Sequence, residues 1–167
     1  MYVQMELHKI IISEMQDQQI IVLKEVDGDR KFPIVIGSSE AYAIDRRLKG
    51  YKKARPMTHD LIKNILETIE ARVQKVVVTD LKENTFYAVL HLQVGTTEYT
   101  VDARPSDAIA LALRVGAPIY VDEEVVRKAK SLEVGKEAEA VKADDPDRLR
   151  EWLQNIKPED FEKFNKT

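Results

Sequence analysis

Four side chains in this 167-residue chain could activate water or hold a charged group: Asp102, Asp107, Glu40 and His59. Two of them flank one turn. Val101-Asp102-Ala103-Arg104-Pro105-Ser106-Asp107 reads as a strand end, a sharp polar turn and a helix start. Carboxylates there can take a proton, hold a divalent cation or pair with the guanidinium of Arg104. Two readings stay open from these residues. One is a functional cluster at a helix mouth. The other is a capped core helix, with Ser106 as N-cap and Asp107 at the positive end of the helix dipole.

The elements that must position these groups are legible. From about Asp107 to Val115 the chain is apolar on nearly every helical face, with Arg114 the one long polar side chain. Such a helix belongs inside a core. Gly116 supplies its stop. An earlier helix opens at Ser39-Glu40, shows Ala41, Ile44 and Leu48 on one face and closes at Gly50. A third carries Leu61, Ile62, Ile65, Leu66 and Ile69 at helical spacing, with Thr58 expected as N-cap and Asp60 in the first turn. His59 therefore also lies at a helix mouth, where a lone histidine is more often a surface or capping residue than a base.

Strands are expected at about 3–12, 20–23, 32–36, 75–81, 85–94, 98–102 and 117–121. Asp27-Gly28 marks a hairpin, and Pro33 points to a sheet edge or a strand start. The halves echo one another. Each runs through about three strands into a helix opened by Ser-acid-Ala, at Ser39-Glu40-Ala41 and Ser106-Asp107-Ala108. A duplication would relate Glu40 to Asp107 and let two carboxylates meet in one cleft. The expected class is α+β: a mixed, mostly antiparallel sheet, a buried central helix, a β-β-β-α duplication and a short C-terminal helical appendage. The expected organisation is one domain over residues 1–131, a linker at 132–145 and a tail at 146–167. Leu149, Trp152, Leu153 and Ile156 form a stripe on that tail, which must dock on its own core or on a neighbouring subunit.

Between Arg46 and Arg55 lie six basic side chains and Tyr51, the only basic concentration in the chain. Arg46, Arg47, Lys52, Lys53 and Arg55 could hold phosphates, although such a run is more often a solvated helix end. The formal net charge is −3, which argues mildly against a dedicated non-specific DNA binder. There is no cysteine, so disulfides and thiolate metal sites are out and a reducing cytoplasm is expected. No apolar run approaches the roughly 20 residues of a membrane span, and the N-terminus lacks a signal-peptide pattern.

Three motifs carry a family resemblance: Arg55-Pro56-Met57-Thr58-His59-Asp60-Leu61, Asp80-Leu81-Lys82-Glu83-Asn84-Thr85-Phe86-Tyr87-Ala88 and Asp102-Ala103-Arg104-Pro105-Ser106-Asp107-Ala108. In this order and spacing they resemble the bifunctional nuclease domain, a bacterial and plant family, from about residue 5 to 130. The resemblance implies a compact α+β domain, usually oligomeric, and cleavage of RNA and DNA. It marks Glu40, Arg55, Thr58, His59, Asp60, Asn84, Asp102, Arg104, Ser106 and Asp107 as candidates.

The expectation that follows is phosphodiester hydrolysis. Asp102, Asp107 and Glu40 would hold Mg²⁺ or Mn²⁺, with His59 as base or further ligand. Arg104 and Arg55 would hold phosphate oxygens, and the run from Arg46 to Arg55 would guide the nucleic acid. The alternative is a non-enzymatic binding or assembly module in which the Arg-Pro-Ser-Asp turn is scaffold. A small-ligand domain has no Gly-rich loop to support it.

Overall fold

The computed structural model describes residues 1–12 and 18–131. The expected linker at 132–145 and the tail at 146–167 lie outside the described residues.

Seven strands form one sheet: β1 (Tyr2–Ile11), β2 (Gln18–Glu25), β3 (Lys31–Gly37), β4 (Ala71–Lys82), β5 (Thr85–Val94), β6 (Thr97–Ala103) and β7 (Ile119–Asp122). Their order is β3-β2-β1-β7-β4-β5-β6. Each half is an antiparallel meander, β1-β2-β3 or β4-β5-β6, followed by a helix. These helices are α1 (Ser38–Leu48) and α3 (Pro105–Val115). The short β7 joins the meanders, antiparallel to β1 and parallel to β4. The repeated β-β-β-α order read from the two Ser-acid-Ala triplets is present. Helices α2 (Thr58–Thr68) and α4 (Glu123–Ser131) complete the fold.

The apolar helix is central. Ala108, Ile109, Ala110, Leu111 and Ala112 are all buried, and α3 packs on α1, α2, β4 and β5. Alanines let these backbones approach, and burial on every face explains why α3 shows no amphipathic stripe. Gly116 closes the helix in the left-handed region, at φ 70°. Pro33 sits on the edge strand β3, where a missing N–H is tolerated.

Two apolar readings need correction. Leu48 is exposed, so α1 buries only Ala41, Ala43 and Ile44. On α2 only Ile62 and Leu66 pack inward, while Leu61, Ile65 and Ile69 form an exposed row. The stripe on α2 is wider than the core it covers.

The β4–β5 hairpin turns in two residues, Glu83 and Asn84, at φ 46° and 58°. Consecutive positive φ values mark the tight turn whose twist matches its strands. Asn tolerates that region better than most residues. Asn84→Ala should therefore cost about 1 kcal/mol and Asn84→Gly close to nothing, measured by denaturant unfolding.

Candidate active site

Three helix starts share one local design. The N-caps of α1, α2 and α3 are Gly37, Met57 and Arg104. Three positions further on, each helix carries a carboxylate: Glu40, Asp60 and Asp107. Acids in the first turn face the positive end of the helix dipole. The expected N-caps Ser106 and Thr58 are displaced. Pro105 has a fixed φ and needs no N–H partner, so it starts α3 earlier and carries Ser106 into a buried position inside the first turn.

The repeated β-β-β-α order brings Glu40 and Asp107 to one guanidinium. Arg104 Nε donates to Asp107 Oδ2 at 2.8 Å, and Arg104 Nη2 donates to Glu40 Oε1 at 2.7 Å. His59, from the first turn of α2, places Nε2 2.9 Å from Asp107 Oδ1. Burial pushes the Asp107 carboxyl up. The bonds from Arg104 and His59 outweigh it and hold the group below the ordinary Asp value. With Asp107 ionised, His59 Nε2 must carry the hydrogen of their bond, which assigns the tautomer. His59 is 7% exposed, whereas the Arg104 side chain is 65% exposed. The ring is held inside while the guanidinium reaches solvent.

Asp102 does not join the cluster. On β6 it pairs opposite Val89, while Val101 and Ala103 pair with the buried Leu90 and Ala88. Strand alternation therefore puts Asp102 on the sheet face away from the helices. The set Asp102, Asp107 and Glu40 does not form. Among the described residues no three His, Asp or Glu side chains gather as a metal ion requires. Arg104 supplies, between Glu40 and Asp107, the positive charge expected of Mg²⁺ or Mn²⁺. The residues present do not fit that metal.

Next to His59, Asp60 faces the other way. Its Oδ2 accepts the Met57 N–H at 3.0 Å, and its Oδ1 accepts from Arg114 Nε at 2.8 Å. The Met57 N–H, with help from Arg114, holds its carboxyl below the usual value against the opposing effect of burial. Asp60 and Arg114 line a cleft of about 340 Å³ with Arg46, Arg47, Lys52, Lys53, Arg55 and Lys63. Of the basic residues expected to hold phosphate, Arg46, Arg47, Lys52, Lys53 and Arg55 are here, whereas Arg104 lies in the cluster. The first turn of α2 thus touches the cluster through His59 and the cleft through Asp60.

Sequence reading assigned no role to Arg114 or Tyr42. A lone arginine near the end of an otherwise apolar helix was the signal for the first. The four-residue spacing from Tyr42 to Arg46 was the signal for the second. The Asp80–Asn84 motif serves the β4–β5 hairpin instead. Lys82, Lys128 and the Leu81 N–H bring the Asp80 carboxyl down to about 2.

Residues 21–133 match the bifunctional nuclease domain model. The chain belongs to the bifunctional nuclease domain family. It is 42% identical over 156 residues to an uncharacterized protein of Mycobacterium tuberculosis, covering 91% of this chain and 93% of that one. It is 31% identical over 109 residues to Bifunctional nuclease 1 of Oryza sativa subsp. japonica, covering 63% of this chain and 33% of the rice protein. Bifunctional nuclease 2 of Arabidopsis thaliana is 32% identical over 107 residues, covering 62% of this chain and 32% of that protein. The plant matches thus share about the length of this bifunctional nuclease domain with much longer chains. No helix among the described residues is long and apolar enough to cross a membrane.

Proposed function

We propose that this protein hydrolyses phosphodiester bonds of nucleic acid at the His59–Asp107–Arg104–Glu40 cluster. The observation that carries this reading is the position of that cluster, one residue along α2 from a cleft that gathers seven cationic side chains. Asp107 orients His59 and compensates charge on its ring. His59 moves a proton between the attacking water and the leaving oxygen as water adds to phosphorus and the P–O ester bond breaks. Arg104, steadied by Glu40, holds the phosphate oxygens. The cleft cations hold the flanking backbone. No step passes through a metal.

The test is cleavage of labelled single-stranded RNA and DNA by purified protein, with Mg²⁺, with Mn²⁺ and with EDTA. A folded His59→Gln variant runs beside the wild type. Cleavage that survives EDTA and is lost in the variant supports the reading. Cleavage that strictly requires a divalent cation overturns the metal-free route.

A second reading has its own support. Both Asp107 oxygens are already bonded and His59 is buried, as a structural clamp on three helix starts would require. Absence of cleavage under every condition selects that reading, a module that binds without cutting.

Gly37 offers a milder probe. A Cβ there would collide with Glu40 Oε2, the far end of a flexible side chain. Gly37→Ala should push Glu40 off Arg104 at a stability cost under about 1 kcal/mol. It should slow cleavage roughly 10- to 100-fold through the misplaced guanidinium. Thermal unfolding and the cleavage rate check the two parts.

A further inference from the structure

The basic cleft carries two features that phosphate binding alone does not require. Tyr42 and Tyr51 are 46% and 63% exposed, and both rings flank Arg46. The Arg46 guanidinium carbon lies 5.3 Å from each ring centroid, and its Nη1 donates to the Tyr42 hydroxyl at 2.7 Å. Lys53 Nζ is 5.9 Å from the Tyr42 centroid. Arg46 Nε is buried with no hydrogen-bond partner among the described residues. Cation–π contact therefore fixes the guanidinium and the two rings as one unit at the cleft wall.

An inorganic phosphate would use the cations and gain nothing from the rings. A duplex would present phosphates and groove edges, with its bases stacked inside and closed to a tyrosine. A single strand presents both a charged backbone and free base faces, and exposed aromatics among cations are the platform it uses. Arg46 covers one side of the Tyr51 ring, and the exposed remainder can take a base. A cleft of about 340 Å³ suits a segment of one strand.

We infer that the cleft is a single-strand nucleic acid site in which Tyr51 stacks a base while Lys52, Lys53 and Arg55 hold adjacent phosphates. The inference rests on the nucleic-acid reading above and names its substrate class. The strand lies on the cleft side of α2, whose first turn leads through His59 to Asp107. Base stacking is indifferent to base identity and to the sugar, so RNA and DNA single strands should bind alike.

The experiment measures binding without cleavage. The full chain carrying Asp107→Asn, or His59→Gln if that folds better, is titrated into a fluorescein-labelled 12-nucleotide single strand, as RNA and as DNA, and into the matching duplex. Anisotropy should show the single strands binding at least tenfold tighter than the duplex. Adding Tyr51→Ala should weaken single-strand binding roughly 5- to 150-fold, Tyr51→Phe should keep it, and duplex binding should not change. Lys52→Gln with Lys53→Gln should weaken both and flatten the salt dependence. Equal or tighter duplex binding, or Tyr51→Ala with no effect on the single strand, overturns the inference. Selective, Tyr51-dependent binding by a wild type that cuts nothing supports the inference and overturns the nuclease reading alone.

Discussion

Asp107→Asn is expected to slow cleavage of single-stranded RNA and DNA by roughly 10²- to 10⁴-fold. The amide keeps the size and shape of the carboxylate. It removes the negative charge that makes His59 Nε2 the protonated nitrogen and that compensates the imidazolium when the ring takes a proton. It also leaves Arg104 with Glu40 as its one acidic partner among the described residues. The fold should survive, because an uncharged residue in the first turn forfeits only about 0.3–1 kcal/mol of dipole interaction. Oligonucleotide binding should stay within about threefold of wild type, since the cations of the cleft are untouched. The measurement is a single-turnover cleavage rate beside a binding titration, with circular dichroism as the folding control. A folded Asp107→Asn protein that cleaves within about tenfold of wild type would remove the chemistry from this cluster.

Arg114→Met should produce the largest loss of stability, about 3 kcal/mol. Arg114 is 8% exposed and joins three helices. It bonds Asp60 at the start of α2, the carbonyl of Ala43 in α1 at 3.1 Å, and the carbonyl of Ala110 in its own helix at 2.8 Å. Methionine fills similar volume but donates to neither carbonyl and not to Asp60 Oδ1, and the carboxylate keeps its bond from the Met57 N–H. The loss stays moderate because the Asp60 side chain is 40% exposed and water can reach it. In a chain of this size the melting temperature should fall by roughly 10 °C. Arg114→Lys should recover only part of the loss, since one ammonium cannot serve three acceptors in the directions of a planar fork. A change below about 1 kcal/mol in Arg114→Met would show that packing, and not this network, holds α1 and α2 onto α3.

The same carboxylates set the acid limit of the fold. Asp60 and Asp107 both sit below the ordinary value of 3.8 in the folded protein. Their contribution is therefore complete above the unfolded value and is lost as pH falls through the lower folded values. Arg114→Met relaxes part of the Asp60 shift, so its stability should vary less steeply with pH below about 4 than that of wild type.

The sequence alone determined the elements and their repetition, because those depend on local period and punctuation. Strand alternation, Gly116 after an apolar run and the hairpin at Asp27-Gly28 act within a few residues of themselves. The two Ser-acid-Ala triplets carried enough of the repeat to relate Glu40 to Asp107, and these two do share one guanidinium. Tertiary structure decided what local reading could not reach. Asp102 and Asp107 are five residues apart, yet strand alternation sends one to the sheet face away from the helices and the other lies in the first turn of α3. Leu61, Ile65 and Ile69 have the spacing of a core stripe, but they are exposed and no element among the described residues covers them. Arg114 reads as an isolated cation until α1 and α2 bring their carbonyl and carboxylate to it. His59 gained its partner 48 residues away. Tyr42, Arg46 and Tyr51 became one stacked unit only when the turn after α1 closed over its last helical turns. Each of these outcomes depends on how packed helices and a paired sheet orient side chains relative to distant ones, which one-dimensional spacing does not encode.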